Sequence, residues 1–414
     1  MKKLAVLLSL LLLADISHAA GFALYEFSAR GTAMGGAAVA NEAEAASLAV
    51  NPALITELDG TQAQLGLTAV TAHAKTTVAG QSRTLKDDLW LLPNFFVTHK
   101  WSDDVTFGLG GFSRYGLGGE YHGPAQTWPG SNLAYKVKLE TFSFTPTIAV
   151  KASDELSVAM GLEAMVIGFT QYSYYNAPMQ AGLPGGEYKI SGSGVSWGGN
   201  FSFVYKPKWA EKWTLGAMYR SKVKQELNGR LNAERDFRNY PEPLALNIYS
   251  ADATGAITLP DSISAGLSFR PTAKWTFEAG IVGTFWSSYD QILIQYKGTE
   301  NSPFIRNQKK YKDVYRLNIG AEYQFHQNWA ARAGFVYDQS PINPNEMDTL
   351  VPVDNRHIAS VGLGYQGARW SVDVAYAHVF GSDLSGKSHQ LNDLPVKYSD
   401  GRSDMYALTV GYKF

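Results

Sequence analysis

The chain has 414 residues, 45% of them apolar and only 18% charged, and its net charge at pH 7 is −1. This balance of charge gives no argument for a nucleic-acid or anionic partner. There is no cysteine, so a disulfide, a thiolate metal site and a cysteine nucleophile are all excluded.

The first 19 residues predict a signal peptide. "MKKLAVLLSLLLLADISHAA" has two lysines, then an apolar run over residues 4–14, and then small residues. Ser17 and Ala19 occupy the −3 and −1 positions if cleavage precedes Ala20. A short buried helix or membrane anchor is the alternative, but the run is about half of the roughly 20 residues that a spanning helix needs. An exported chain is periplasmic, secreted or a membrane β-barrel.

Residues 20–59 break with the rest of the chain. They are rich in alanine and glycine, and residues 37–49 predict a short helix that ends at Asn51-Pro52. Small residues suit a segment that packs inside a lumen, whereas a linker would be more polar. We interpret residues 20–59 as a partly helical hatch, or plug, inside a barrel.

From residue 60 to residue 414 the chain alternates between two faces with a period of two. In "YALTVGYKF", for example, Tyr406, Leu408 and Phe414 share one face, while Ala407 and Thr409 share the other. No segment is left to cover the recurring aromatic face, and lipid is its simplest cover. The sequence therefore predicts an all-β fold, a 14-stranded antiparallel transmembrane β-barrel over residues 60–414.

The predicted turns support a membrane barrel. Five tryptophans stand beside short polar turns, where an indole keeps its ring in the apolar layer and its N–H in water. They are Trp101, Trp213, Trp275, Trp329 and Trp370. An even number of strands returns the C-terminus to the side of the short turns, so we expect the last strand to close the barrel and Phe414 to serve the barrel assembly machinery.

Several segments carry a family resemblance. "AGFALYEFSARGTAMGG…NEAEAASLAVNPALI", "KYKDVYRLNIGAEYQFHQNWAARAGFVYDQSPINP" and "LVPVDNRHIASVGLGY" resemble the FadL-type transporters of the bacterial outer membrane. The resemblance covers the mature chain. It implies a monomeric barrel with a hatch in its lumen, placed in a Gram-negative outer membrane, that takes up hydrophobic molecules without an energy source. Fatty acids are the first substrate class, and aromatic hydrocarbons are the alternative.

The resemblance also implies that long outer loops capture the ligand. Two loops fit by composition, one with Tyr174 and Tyr175 and the other with Phe237 and Leu244. Exposed apolar side chains on loops otherwise favour aggregation. Contact with lipopolysaccharide, or packing of the loops against each other, is the alternative explanation.

Further site residues are matched to the family by position. Phe22 matches an aromatic contact of the internal pocket, and Asn51-Pro52-Ala53 matches a hatch motif that faces an inward kink of the third strand. The candidate kink is "FGLGGFSRYGLGG", with Gly108, Gly110 and Gly111, because glycine inside a strand marks a bulge or a close approach. Such a kink would open the barrel wall sideways.

A fatty acid needs a cation for its buried carboxylate. Lys312 in "YKDVYR" matches the basic residue that the family presents to the ligand head. A second basic partner is expected in "GLEAMVIGFTQYSYY", which contains no lysine or arginine. This departure keeps neutral hydrocarbons open as substrates.

Other functions are weighed against transport. The eight histidines are scattered without the spacing of a metal site or a catalytic triad, so neither an enzyme nor a metal or other cofactor is expected. A general water-filled porin is the nearer rival, although porins usually constrict with a barrel loop and not with an N-terminal segment. The expected partners are the hydrophobic ligand, outer-membrane lipid, lipopolysaccharide and the barrel assembly machinery.

Overall fold

The structure is a computed structural model that describes residues 21–176, 183–240, 248–297, 304–352 and 354–414. The predicted signal peptide lies outside the described residues. Within them no helix is long and apolar enough to span a membrane.

Strands dominate the described chain. Two short α-helices, α1 (Ala29–Ala33) and α2 (Ser47–Val50), precede them. The 3-10 helices are Pro52–Glu57, Ala125–Thr127, Pro129–Asn132, Lys208–Ala210, Phe237–Asn239, Trp286–Ser288 and His389–Leu391. The strands are β1 (Thr61–Val78), β2 (Gln81–Thr84), β3 (Leu89–Lys100), β4 (Val105–Phe112), β5 (Gly116–Glu120), β6 (Lys136–Lys151), β7 (Leu156–Tyr175), β8 (Gly186–Tyr205), β9 (Trp213–Arg220), β10 (Val223–Ala233), β11 (Ala251–Leu259), β12 (Ser262–Thr272), β13 (Trp275–Thr284), β14 (Gln291–Tyr296), β15 (Phe304–Gln308), β16 (Val314–His326), β17 (Trp329–Asp338), β18 (Arg356–Gln366), β19 (Trp370–Gly381), β20 (Leu384–Ser388) and β21 (Leu394–Lys413).

The strands form a closed antiparallel barrel whose wall has 14 positions. Five positions are built from two strand pieces each, namely β4 with β5, β9 with β10, β12 with β11, β13 with β14 and β16 with β15. The last strand, β21, pairs with both β19 and β1, so it closes the barrel. The backbone N–H of Phe414 donates to the Thr61 carbonyl over 3.0 Å at this seam. The predicted 14-stranded barrel is confirmed.

The two predicted faces of the wall are also present. Leu408 is 47% exposed, whereas its neighbour Thr409 on the inner face is 1% exposed. The five predicted tryptophans are all exposed beside the short turns, and Trp209 joins them. The wall is therefore apolar outside and lined with small and polar side chains inside.

Residues 21–58, here called the N-terminal segment, contact inward-facing groups from many sides of the barrel. The Ala29 N–H donates to Thr409 Oγ1 in β21 over 2.8 Å, and Ser360 Oγ in β18 donates to the Ala33 carbonyl over 3.0 Å. In β16, Glu322 accepts hydrogen bonds from Arg30. Most of the segment is buried.

The helix predicted over residues 37–49 is wrong for most of its length, because only Ser47–Val50 is α-helical. Gly35 and Gly36 have φ of +67° and +81°, which ends α1 and turns the chain. The N–H groups of Val39 and Ala40 then donate to Glu278 Oε1 in β13 over 2.7 and 3.1 Å. These N–H groups therefore donate to a side chain of the barrel wall and not to the carbonyls of a helix.

Two connections are more regular than predicted. Tyr174 and Tyr175, predicted to lie in a loop, are in β7, which remains paired with β8 out to Tyr175 and Gly186. Likewise β10 pairs with β11 from Val223 to Leu231. Because both pairs of strands keep their cross-strand hydrogen bonds, the loops that join β7 to β8 and β10 to β11 are shorter than predicted.

Candidate ligand-binding site

The third position of the wall is interrupted. Strand β4 ends at Phe112 and β5 begins at Gly116, and residues 113–115 between them leave the ladder. Strand β4 pairs with β3 and with β6, whereas β5 pairs with β6 and on its other side bonds at its end, where the Glu120 carbonyl accepts from the Lys86 N–H over 2.7 Å. Residues 89–94 of β3 pair with β1, and no described strand takes the place of β5 on their other side. The barrel wall therefore has an unpaired edge between β3 and β5, here called the lateral gap.

The N-terminal segment supplies the missing backbone partner from inside the barrel. The Leu24 N–H donates to the Arg114 carbonyl over 2.8 Å, and the Gly116 N–H donates to the Phe22 carbonyl over 3.1 Å. Ala23 and Tyr115 face each other in this short antiparallel bridge. The interruption thus bends the third strand inward onto residues 22–24, here called the N-terminal arm.

A cavity of about 640 Å³ lies at the gap, here called the lateral cavity. Its inner wall includes Phe22 and Leu24 of the N-terminal arm. Its outer wall includes Leu91 and Val166, which face lipid and are 56% and 40% exposed. The cavity therefore runs from the lumen to the outer surface of the barrel. Its volume is within the range of small-molecule sites, roughly 300–1,000 Å³.

Phe22 lies where a pocket contact is predicted. It lines the lateral cavity and is 4% exposed. Its ring packs edge-on against Tyr115, Trp286 and Tyr289, with centroids 5.9, 4.8 and 5.4 Å away. Tyr115 also donates its hydroxyl to the Pro260 carbonyl over 2.8 Å. These aromatic contacts tie the N-terminal arm and the inward bend to the opposite wall.

The predicted kink glycines lie elsewhere. Gly108, Gly110 and Gly111 are inside β4 and are paired on both sides, so the interruption begins two residues later, at Ser113. Gly108 instead permits a close approach, because a Cβ there would lie 2.4 Å from Leu48 Cδ2 of the N-terminal segment. The glycine pattern marks a packing contact, and the position of the kink needs correction.

The Asn51-Pro52-Ala53 motif anchors the N-terminal segment to β8. Asn51 is fully buried, and its Nδ2 donates to the carbonyls of Val39 and Phe203 over 2.7 and 3.0 Å. Pro52 begins the 3-10 helix, and the Ala53 N–H donates to Ser202 Oγ over 3.1 Å. Toward the third strand the motif packs in an apolar cluster that contains Ala53 and Phe112.

Lys312, the predicted contact for a ligand head, is not among the residues that line the lateral cavity. Its side chain is exposed, but neighbouring protein atoms desolvate the ammonium group and lower the pKa of Lys312, while the negative charge of Asp354 opposes this shift. The buried lysine of this region is Lys309, which is ion-paired with Asp348. The role of Lys312 therefore stays a prediction.

The two aromatic loops meet each other. Tyr175 packs edge-on against Phe237 with centroids 5.2 Å apart, and Phe237 packs against Tyr240 at 5.4 Å. Phe237 is fully buried in this contact, while Tyr174 lies over Gly185 at the edge of the loop. Leu244 lies outside the described residues. Packing between the loops, the alternative raised above, accounts for the described part of this cluster.

Several charged residues on the inner face of the wall were not predicted from the sequence. Arg114 and Arg220 lie close to Glu163, while Arg316 and Arg356 share Asp338. The alternation already placed Arg220 and Arg316 on the polar face of their strands, so this signal could have found them. Arg114 lies within the interruption of its strand, where the alternation no longer holds.

The closed wall, its apolar outer belt and the cavity that opens toward lipid define a transmembrane β-barrel of the Gram-negative outer membrane. Residues 10–414 match the family described as outer membrane protein transport protein (OMPP1/FadL/TodX), and the chain belongs to that family.

Named relatives and solved structures agree with this assignment. The long-chain fatty acid transport protein of Escherichia coli K12 is 25% identical over 455 aligned residues, which cover 100% of this chain and 98% of that protein. A FadL homologue from Pseudomonas aeruginosa superposes with a TM-score of 0.85 at 20% identity, covering 95% of this chain and 100% of that one. The toluene transporter TodX of P. putida gives 0.73 at 19% identity, covering 94% and 99%. The relatives are named as transporters of both fatty acids and an aromatic hydrocarbon.

Proposed function

We propose that this protein takes up hydrophobic molecules passively across the outer membrane, with long-chain fatty acids as the first substrate class. The observation that carries the proposal is the lateral cavity of about 640 Å³ at the unpaired edge between β3 and β5. A hydrophobic solute that leaves through this edge enters lipid directly. It therefore avoids a watery channel, where exposure costs roughly 25 cal/mol per Å² of apolar surface.

In this proposal the N-terminal segment is the hatch. It occupies the inner face of the barrel through Asn51 at β8, Arg30 at β16 and Ala29 at β21. The N-terminal arm forms part of the cavity wall, so a shift of Phe22 and Leu24 changes the size of the cavity. Loop residues near Tyr175 and Phe237 make the first contact with the ligand when they separate. The protein acts as a monomer that is inserted by the barrel assembly machinery and surrounded by lipid and lipopolysaccharide.

Uptake of neutral hydrocarbons is the second candidate. It is favoured by the mainly apolar lining of the lateral cavity and by the position of Lys312 outside that lining. A toluene molecule would need the cavity and the lateral gap but no cation. The two candidates therefore share a route and differ in the recognition of a charged head.

The test is uptake of labelled oleate and of labelled toluene by cells whose only such transporter is this protein. Ser113 lines the lateral cavity at the interruption of the third strand, so Ser113→Trp should obstruct the route and lower uptake of both solutes severalfold. The matched control is Ala333→Trp, which adds an indole to the exposed face of β17. Normal uptake in Ser113→Trp cells that contain the folded barrel would overturn the lateral route.

The same assay separates the substrate classes. If Lys312 binds a carboxylate, Lys312→Ala should reduce oleate uptake and leave toluene uptake unchanged. If neither solute enters faster than in cells without the protein, whereas small sugars do, the protein is a general porin and the proposal fails.

A further inference from the structure

A second, smaller cavity of about 80 Å³ lies beneath the N-terminal segment. Inward-facing side chains of β9, β12, β13 and β16 form its floor. It shares Ala23, Leu24 and Tyr115 with the lateral cavity, so the two spaces adjoin at these three residues. We call it the arginine cavity.

Arginine and hydroxyl groups dominate the polar lining of this cavity. Arg114, Arg220 and Arg316 line it, and no aspartate or glutamate does so among the described residues. The hydroxyl groups belong to Tyr25, Ser28, Tyr115, Ser262, Ser264 and Thr284. Ser28 and Tyr115 already donate to Glu44 and to the Pro260 carbonyl, so the guanidinium groups and the serines of β12 are the donors suited to a carboxylate or a similar small anion.

The carboxylate nearest to two of these arginines lies behind them. Glu163 is fully buried and accepts hydrogen bonds from Arg114 Nη1 over 2.8 Å and from Ser143 Oγ over 2.6 Å. Arg220 Nη1 lies 3.7 Å from the same carboxylate. Two guanidinium groups thus share one carboxylate, which leaves an excess of one positive charge beside the cavity.

Arg220 has an unused donor. The residue is 5% exposed, and its Nη2 donates to the Ala49 carbonyl over 3.0 Å. Its Nη1 is buried without a hydrogen-bond acceptor. A buried donor without an acceptor destabilises a fold, and a charged one does so more strongly. Nη1 is the nitrogen nearest to Glu163, so an anion in the arginine cavity would be attracted by the charge of the guanidinium group and not by this nitrogen.

Arg316 faces the cavity from β16 and is held from behind in a similar way. Its Nη1 donates to Asp338 over 3.0 Å, and its guanidinium lies 4.5 Å from the centre of the Tyr25 ring. Arg356 donates to the same carboxylate over 2.7 Å and also feels the negative charge of Glu26. Arg316 therefore remains in place without a counter-ion on its cavity side.

We infer that the arginine cavity binds the carboxylate of an amphiphilic ligand whose apolar tail occupies the lateral cavity. This inference rests on the proposed function and names its substrate class, a long-chain carboxylate. About 80 Å³ holds a carboxylate with a water molecule, whose share of liquid volume is about 30 Å³, but it is too small for an acyl chain. A neutral hydrocarbon has no group for this cavity.

Binding to the purified full-length chain in lipid nanodiscs tests the inference. Labelled oleate and oleyl alcohol have the same chain and differ in charge at the head. Arg220→Gln should weaken oleate binding at least tenfold and change the affinity for oleyl alcohol by less than twofold, and Arg220→Lys should restore part of the loss. Glu163 keeps its bonds to Arg114 and Ser143 in these variants, so the fold should persist. The heat-dependent electrophoretic shift of a folded barrel checks this.

Ser264→Glu is a second variant that keeps all three arginines. The new carboxylate would lie in the cavity and compete with the ligand, so oleate binding should fall while oleyl alcohol binding persists. If Arg220→Gln does not fold, Ser264→Glu tests the inference in its place. Acetate in excess should weaken oleate binding to the wild-type protein. Acetate that binds without competing with oleate would indicate a site for free small anions and would overturn the inference.

The control is Lys312→Ala, which removes the cation predicted from sequence. Loss of oleate binding in Lys312→Ala but not in Arg220→Gln would overturn the inference and leave the transport proposal intact. Equal loss of both ligands in Arg220→Gln would make Arg220 a structural residue and would also overturn it. If the wild-type protein binds neither ligand, the proposed function fails together with the inference.

Discussion

At the scale of single residues, two kinds of contact hold the N-terminal segment in the barrel. One is close packing, as where Leu48 lies over Gly108. The other is the hydrogen bonding of buried polar groups, as where Asn51 reaches two backbone carbonyls. Packed interiors tolerate neither extra atoms nor unpaired donors and acceptors, so both contacts can be tested by substitution.

Gly108→Val should destabilise the protein. A Cβ at this position would lie 2.4 Å from Leu48 Cδ2, and overpacking of this kind costs about 1–3 kcal/mol. Gly168→Val is the control, since a Cβ at Gly168 would meet nothing within 4 Å. The measurement is the midpoint of thermal unfolding. Adding Leu48→Ala should recover part of the loss, and equal midpoints for both glycine variants would contradict this account.

Asn51→Asp should weaken the attachment of the N-terminal segment to the barrel, although the two side chains have nearly the same shape. The carboxylate has no N–H for the carbonyls of Val39 and Phe203, and a buried group left without a partner costs about 1–3 kcal/mol. We expect faster proteolysis of the N-terminal segment in the folded barrel, measured by mass spectrometry. Ser153→Asp, at an exposed turn, is the control. A cleavage rate equal to that of the wild type would show that Asn51 is not an anchor.

At the scale of elements, the third strand and the N-terminal arm depend on each other. The interruption after β4 gives up pairing with β3, and residues 22–24 replace part of what is lost. The backbone groups of the inward bend are therefore satisfied inside the barrel, while the edge of β3 is left open at the lateral gap. Movement of the N-terminal arm away from the inward bend would have to break the two backbone hydrogen bonds of this short bridge.

A disulfide between the arm and the bend tests whether the bridge opens. Ala23 and Tyr115 face each other, and the bonds of their neighbours mark a non-hydrogen-bonded pair, in which side chains are closest. The chain has no cysteine of its own, so Ala23→Cys/Tyr115→Cys can form only this pair within the chain. Oxidation should lower oleate uptake and a reductant should restore it. Tyr115→Cys alone is the control. If oxidation of the double variant leaves oleate uptake unchanged, the N-terminal arm stays in place during transport.

At the scale of the whole molecule, the barrel is a closed wall whose inner face contacts the N-terminal segment. The wall satisfies its backbone hydrogen bonds through the seam between β1 and β21, and the N-terminal segment forms hydrogen bonds with β8 and β21. The described part of the barrel holds the lateral cavity, the arginine cavity and a polar cavity of about 290 Å³ that Lys413 helps to line.

Removal of residues 21–58 from the mature chain should turn the protein into an open pore. The ionic conductance of single molecules in planar bilayers should rise severalfold above that of the full chain, because the lumen would hold water in place of the segment. The heat-dependent electrophoretic shift has to show that the shortened barrel is folded. Unchanged conductance of a folded, shortened barrel would contradict the idea that this segment closes the lumen.

The sequence by itself determined the wall of this protein. A period of two, sustained through most of residues 60–414 with an aromatic and an opposite polar face, specifies strands whose backbone groups can be satisfied in lipid only by closure. Each strand carries that signal locally, and tryptophans such as Trp101 and Trp370 mark its ends. The 14 strands and the closing role of Phe414 followed from this pattern alone.

The tertiary structure decided the interior. Whether residues 37–46 form a helix depends on Glu278, more than 200 positions away, which takes the N–H groups of Val39 and Ala40. The bend at Ser113 exists because the N-terminal arm offers Tyr115 a partner, and no pattern within the strand records that contact. Likewise, Arg220 and Arg316 could be placed on the inner face from sequence, but only folding brings them together around one cavity. Local periodicity fixes which way a side chain points, whereas contacts between distant segments decide what it meets.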